Sequence, residues 1–532
     1  MIATSDKWRI AQLDSLAPEA FVEITYKVTE PGLQESAVES NNGAMSFSDH
    51  NNIVDMTGRE HQTYATLEHN LWALGGDHEL LPNVDDTGFV SSVISGGDGS
   101  FSTSPVITIT LDALHAQAIP GITITWSTAY GEYASRFRVR AFNGNTEIAS
   151  QEFENTSVET DCQIALSGYN KVQIEILEWC LPNRRARMER LFLGATQTYN
   201  KNNLLSYTHK QSADLLSAEL PKNNITFSLN NADGLWNPDN PSGHIRYLAE
   251  RQEVRVRYGF KLDGVIEWID AGTFWISGWD TPSNGLEAKF TARDMLEFMS
   301  DIYTGPKKGS LYEIATAAFV QADLPTLDNG DPRWFIADNL KEYMADFSDN
   351  NTDYKLAEIV QLCANAACCV MFQDRRGVVR VESIRENSAG YAIRKMISYT
   401  HPEFTLTKPL KSVSVNNGMG IAEHSASGEV QKLENSLISD ETRANHVAEW
   451  VRRTLENRKI ISGDYRADPS MDVLDKIAVE SKYGTNNAIY VTEIEYKFAG
   501  AFHGKYTGRS TDFDVETWYS GELVSGGGVK RA

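Results

Sequence analysis

The chain has 532 residues and a mass of 59.3 kDa, too long for one hydrophobic core and enough for about three to five domains of roughly 100 to 200 residues each. Hydrophobic residues make up 41 % of it, with 11 Trp, 21 Tyr and 21 Phe, which excludes a disordered polyelectrolyte and points to globular units with packed cores. A formal net charge of −23 argues against a chain built to grip nucleic acid, since that needs clustered Lys and Arg, but leaves room for a surface past which DNA slides.

Residues 1–77 read as an irregular N-terminal segment, with one strand from Phe21 to Val28 and a loop rich in Ser and Asn from Glu35 to Asn52. The opening MIATSDKWRIAQLD has no basic run followed by an apolar stretch, and no run of about 18 apolar residues occurs, so neither a signal peptide nor a membrane span is expected.

Residues 78–194 carry short strands separated by turn signals: Val106 to Leu111, Ile122 to Trp126, Arg136 to Phe142, Cys162 to Leu166 and Lys171 to Trp179. In RFRVRAF, Phe137 and Val139 alternate with Arg136, Arg138 and Arg140. One wet and one buried face per strand predicts a jelly-roll-like β-sandwich. Residues 195–300 form a second β-rich unit with ITFSL, the turn-rich NNADGLWNPDNPSG, EVRVRYGF and EWIDAGTFWISGW, closed by a helical turn that Asp294 can cap.

Residues 301–404 read as α/β. Ser310 precedes a helix with Leu311, Ile314, Ala315, Ala318 and Phe319 on one face, and Asp353 stands as the N-cap of a second with Leu356, Ile359, Val360 and Cys363. A hairpin follows, turning at Asp374 to Gly377. Residues 405–520 are β-rich again, with one helix from about Asp440 to Asn457, and 521–532 form a Gly-rich tail. The expected fold class is therefore multidomain and mainly β with an α/β insert: a sandwich plus two barrel-like units.

Catalytic signatures are missing: HExxH on a helix, GxSxG, a Walker loop, a dinucleotide-binding glycine pattern and a Cys with a plausible His partner do not occur. No enzyme and no cofactor is expected. Cys162, Cys180, Cys363, Cys368 and Cys369 lack paired CxxC spacing, which suits free buried thiols better than a disulfide frame or zinc site. Asp85, Asp86 and Asp98 lie in turns that could hold Ca²⁺, yet acids in turns are common without a metal. Trp126, Tyr130 and Tyr133 at a strand end offer two readings: an aromatic platform for a sugar ring, or core and edge packing of the sandwich. The basic run with Arg184, Arg185, Arg187 and Arg190 reads either as a grip on a neighbouring acidic subunit or as a solvated turn.

Three stretches resemble the tail-tip or baseplate hub proteins of long-tailed bacteriophages and prophages. They are ITFSLNNADGLWNPDNPSG with EVRVRYGF and EWIDAGTFWISGW; the helix LAEIVQLCANAACCV running into VMFQDRRGVVRVES; and the helix His446 to Asn457 with SGDYRADPSMDVLDKIAVESKYG and VTEIEYKFAGAFHGKYTGR. Together they span roughly Gly194 to Arg509. The sandwich is similar, in pattern only, to galactose-binding-like jelly rolls. The resemblance implies two tail-tube-like barrels per chain, and three chains placing six barrels in a ring that continues the sixfold tail tube. It further implies a virion location at the tail tip after synthesis in the host cytoplasm. The implied partners are further copies of the chain, the distal tail ring protein, the tape measure protein, other tail-tip or fibre proteins and DNA only in transit. In that setting the acidic balance fits a channel that repels DNA. The alternative is a carbohydrate-binding tail protein that adsorbs to a host glycan through the sandwich.

Overall fold

The computed structural model describes residues 2–14, 16–28, 33, 37–44, 53–54, 66, 68–69, 71, 88–116, 119–237, 239–240, 251–281, 285–327, 331–384, 391–511, 523–524 and 528–529. The fold is mainly β, with several antiparallel sheets, few helices and three hydrophobic cores.

The two barrel-like units are not separate. One 13-stranded sheet runs through both, in the order Ala195–Tyr199, Ala20–Val28, Glu253–Leu262, Val265–Asp280, Glu287–Arg293, Lys222–Asn230, Leu204–Ser212, Asn486–Phe498, Phe502–Ser510, Lys459–Arg466 and Glu403–Leu406, with Lys476–Glu480 and Ala392–Ile393 branching from Asn486–Phe498. The seam is the antiparallel pairing of Leu204–Ser212 with Asn486–Phe498, in register from Tyr207↔Phe498 to Ser212↔Glu493. Alternation places Ile225, Phe227 and Leu229 in the common core together with Ile494, Tyr496 and Phe498. Local sequence sets the turns: Asp263–Gly264, both at positive φ (50° and 87°), close a two-residue hairpin of the kind that matches strand twist.

The sandwich is an insertion. The chain leaves the main sheet at Ala20–Val28 and re-enters at Ala195–Tyr199, and these strands pair with each other (Ile24↔Tyr199), so entry and exit lie side by side. A five-stranded sheet, Ala37–Asn42, Val106–His115, Tyr169–Trp179, Ala134–Asn143 and Thr146–Glu154, faces Arg190–Phe192, Ile119–Thr125 and Glu159–Leu166. The expectation of a separate N-terminal segment is therefore corrected. Strand Ala20–Val28 belongs to the first barrel-like lobe, Ala37–Asn42 joins the sandwich, and helix Asp6–Leu13 packs on the main core through Trp8.

The α/β unit holds helices Leu311–Ala322 and Leu356–Ala366 against Trp334–Ile336, Val379–Glu382 and Val370–Gln373. Ser310 caps the first helix in a capping box with Glu313. The second helix starts later than expected: its N-cap is Lys355, not Asp353, because the Glu358 carboxylate reaches back to the Lys355 N–H. Helix Glu441–Glu456, assigned from sequence to the closing barrel, packs elsewhere. Its buried face of Ala444, Val447, Ala448 and Val451 joins Leu356, Ile359 and Val360 in the core of the α/β unit, as do Val413 and Val415 of the small sheet beside it. Gly420 permits this approach, since a Cβ there would lie 2.2 Å from the Ala444 carbonyl carbon.

Candidate functional site

In the sandwich, Trp126 is wholly buried: its ring meets Phe137 and Trp179 edge-on at 5.1 and 6.0 Å, and its Nε1 donates to Thr160 Oγ1 at 3.0 Å. The indole closes the core and offers no face to a sugar. Tyr130 is half-buried, with the Arg187 guanidinium 4.8 Å from its ring centre. Tyr133 is also half-buried; its N–H donates to Cys180 Sγ and its carbonyl accepts from the Cys180 N–H. The three aromatics do not form one exposed platform.

The basic run turns inward, which corrects both readings of it, as a subunit grip and as a solvated turn. Arg187 is completely buried and donates through both terminal nitrogens to Glu68, at 2.8 and 2.7 Å. Glu68, equally buried, also accepts from the Arg185 N–H and the Thr66 hydroxyl. Burial alone raises its pKa, but these bonds, led by Arg187, hold it below the ordinary value. Arg184 pairs with buried Glu132 at 3.0 Å, and Glu132 accepts from Trp179 Nε1 at 2.8 Å. Arg185 donates to the Ser91 and Ser92 carbonyls. Arg190 is half-buried and sits in register with Thr125. A buried guanidinium is tolerated only beside a counter-charge, and Glu68 and Glu132 supply it to Arg187 and Arg184. The outward arginines of RFRVRAF form a cross-strand ion ladder instead, Arg136 and Arg138 with Glu152, Arg138 and Arg140 with Glu175.

Asp85 and Asp86 lie outside the described residues. Asp98 accepts from the backbone and hydroxyl of Ser100, and among the described residues no group of three or more His, Cys, Asp and Glu is arranged to hold a metal. The five cysteines are free; burial pushes the Cys368 thiol up to about 11 even beside Arg443.

The site that sequence inspection missed is the three-way junction between the two lobes and the α/β unit. The turn of the Val370–Gln373/Val379–Glu382 hairpin drives Arg375 into it. The guanidinium donates to the carbonyls of Pro469 and Met471 at 2.7 Å each, to Asp270 O at 3.2 Å and to Asp472 Oδ2 at 3.3 Å. Asp270 belongs to the first lobe and residues 469–472 to the second, so one buried cation ties all three bodies. Arg333 repeats the device at the edge, bonding the Arg376 carbonyl and Glu253. The sequence signal was the pair Arg375–Arg376 in a tight turn before Gly377, whose φ of 79° and close neighbours leave no room for a side chain.

Beside this junction the seam strand carries a buried relay. Burial lowers the His209 pKa to about 3, so the ring is neutral; Nε2–H donates to Asn223 Oδ1 at 2.7 Å and Nδ1 accepts from the Tyr258 hydroxyl at 2.7 Å. Tyr258 in turn accepts from Tyr207 at 2.8 Å. Each member hydrogen-bonds the next, so the arrangement fixes register across both lobes and exposes no reactive group.

Neither a known sequence family nor a curated protein matches the chain. Solved structures resemble it at low identity. A 43 kDa tail protein of prophage MuSo2 from Shewanella oneidensis is 10 % identical over 59 % of this chain and 93 % of its own, with a TM-score of 0.41. A tail protein from Neisseria meningitidis MC58 is 8 % identical over 60 % of this chain and 94 % of its own, with a TM-score of 0.40. A family 32 carbohydrate-binding module of C. perfringens NanJ, in complex with galactose, is 12 % identical over 32 % of this chain and 99 % of its own, with a TM-score of 0.20.

Proposed function

We propose that the chain is a structural, non-enzymatic subunit of a bacteriophage tail tip. Three copies would form a hub whose six tube-like lobes continue the sixfold tail tube and make the channel for DNA ejection at host attachment. The observation that carries this reading is the edge-to-edge seam between Leu204–Ser212 and Asn486–Phe498. It gives each chain two sheet units side by side in one piece, which is what an adaptor between threefold and sixfold symmetry needs. The buried Arg375 junction supports it, because ring subunits must keep their two lobes at a fixed angle. The resemblance of residues 194–509 to tail-tip hubs points the same way. The partners of such a hub are its own copies, the distal tail ring, the tape measure protein and other tail-tip or fibre proteins.

The alternative, a carbohydrate-binding tail protein acting in adsorption, has lost Trp126 as a platform. Light scattering with electron-microscope class averages tests the hub reading. A particle of about 178 kDa, three times 59.3 kDa, with a central pore and a pseudo-sixfold outline is the expected result; a monomer at high concentration overturns it.

A further inference from the structure

Six neighbouring strands across the seam carry more base than acid, against the balance of the whole chain. Glu287–Arg293, Lys222–Asn230, Leu204–Ser212, Asn486–Phe498, Phe502–Ser510 and Lys459–Arg466 together hold nine Lys and Arg against four Asp and Glu, a net of +5 in a chain of −23. All thirteen are exposed or half-exposed, and all but Lys459 stand on the strand positions that point away from the core, which leaves a net of +4 on that face. The band ends sharply: the next strand, Val265–Asp280, has Glu267, Asp270 and Asp280 and no base.

Register aligns this charge into rows. Arg293, Asn224, Lys210, Glu495, Lys505 and Asp464 lie opposite one another across all six strands. Glu495 is neutralised by Lys210 at 3.8 Å and Lys497 at 3.2 Å, whereas Lys222, Lys289 and Lys505 have no ion-pair partner among the described residues. At an inter-strand spacing of about 4.8 Å the six strands span roughly 24 Å. Between Lys210, Lys222, Glu493, Glu495 and Lys505 the band dips into a hollow of about 330 Å³.

The rest of this face decides what it suits. From Thr208 to Ser212, Lys222 to Thr226, Glu493 to Lys497 and His503 to Thr507, the outward strand positions are Thr, Ser, Asn, His, Lys and Glu, with Tyr399 stacked on His503 at the rim. Stable protein interfaces are built on buried apolar and aromatic anchors, so this hydrated face is a poor seat for a protein partner. Phosphates need only spaced cations and hydroxyl donors. Nor does the acidity of the whole chain cancel the band, because charges more than about 10 Å away are screened near 0.1 M salt.

We infer that this band is a weak, sequence-independent contact surface for the phosphate backbone of double-helical DNA, and thus the face the hub turns toward its channel. The inference rests on the hub reading for the identity of the polyanion, and replaces a uniformly repelling lumen with one basic track per chain. Contacts of this strength hold a duplex loosely and let it slide.

The test uses the full chain and a fluorescently labelled 20-base-pair duplex, followed by anisotropy. With about four phosphates neutralised, the salt slope is about −4, so affinity should fall on the order of 100-fold between 50 and 200 mM salt, equally for unrelated sequences. Lys210→Glu, Lys222→Glu and Lys505→Glu combined should abolish binding while leaving the circular dichroism spectrum unchanged; the corresponding Gln variant should weaken it about tenfold or more. Absence of duplex binding at 50 mM, or equal binding by the Glu variant, overturns the inference. Tighter binding of polyglutamate than of duplex also overturns it and makes the face a dock for an acidic protein. The hub reading is judged separately by particle mass: rings without duplex binding sink this inference alone, and duplex binding by a monomer sinks the hub reading alone.

Discussion

The indole Nε1 of Trp8 donates to Asp468 Oδ1 at 3.0 Å, joining residues 460 positions apart. Trp8 is fully buried and its ring lies 4.6 Å from that of Phe260. Phe260 belongs to the first lobe and Asp468 to a loop of the second, so the N-terminal helix works as a clamp across both. Trp8→Ala should cost about 3–5 kcal/mol, by the cavity it leaves and the unpaired acceptor. Trp8→Phe, which keeps most of the ring, should cost less than half of that. Urea unfolding followed by tryptophan fluorescence separates the two; equal midpoints for Trp8→Ala and the parent chain would remove the clamp.

Arg375 makes a sharper prediction about the junction. Arg375→Met leaves the Pro469 and Met471 carbonyls and the Asp472 carboxylate without their buried donor, which should cost about 3–5 kcal/mol. Arg375→Lys should rescue little, since an ammonium cannot span four acceptors on two lobes. Limited proteolysis reads the effect directly: loss of the tie should speed cleavage between the lobes and the α/β unit in both variants.

Much of this fold was legible in the sequence. RFRVRAF alternates because one face of Ala134–Asn143 packs in the sandwich and the other carries the ion ladder, and Ser310 and Asp440 cap their helices as their side chains require. Strand Leu204–Ser212 was not legible, because its inward residues include His209 and Gln211, and buried polar groups erase the apolar period. Thr146–Glu154 was missed for the opposite reason: on this edge strand only Ala149 and Phe153 are half-buried against the core, too few to mark a period. The arginine run misled because its partners are far away in sequence; Glu68 lies 119 positions before Arg187, and charge pairing over that distance leaves no local pattern.

That pair predicts an acid limb for the sandwich. The Glu68 pKa is held below its unfolded value, so its stabilisation is complete above about pH 4.3 and is lost as pH falls through the folded value. Glu68→Gln should flatten this limb and, by leaving Arg187 buried without its counter-charge, cost about 3–5 kcal/mol at neutral pH. Glu68→Leu with Arg187→Met should recover much of the loss. A double-mutant cycle from thermal melts checks it; additive losses would mean the two residues do not act as a pair.

Asp294 predicts the reverse slope at higher pH. Burial raises its pKa to about 7 although the N–H groups of Leu296 and Asn223 donate to it. Below about pH 4 both states are protonated and its contribution is complete. Between there and about pH 7 the unfolded chain ionises first, so stability falls, by at most about 4 kcal/mol; above that it is flat. Asp294→Asn should remove this contribution, so that stability rises more steeply between about pH 4 and 7 than in the parent chain, where buried His209 acts in the opposite sense, while the Glu68 limb stays in place. Chemical denaturation at half-unit pH steps resolves the two, and an unchanged slope in Asp294→Asn would show that another group titrates there.

The open end of the sheet supplies the assembly prediction. Glu403–Leu406 pairs with Lys459–Arg466 on one side and with no described strand on the other; all four of its residues are exposed, Phe404 at 44 % and Leu406 at 63 %. A bare edge carrying apolar side chains on a monomer invites uncontrolled pairing, and proteins usually guard such edges with Lys or Pro. Neither residue stands in this strand. In the proposed hub the edge is covered by the next copy, so Phe404→Lys with Leu406→Lys should shift the particle mass from three copies to one while moving the melting temperature of the isolated chain by less than about 3 °C, as expected for surface changes within about 0.5 kcal/mol. A trimer that survives both substitutions would mean that the ring closes through another surface, and would turn attention to the sandwich as its contact.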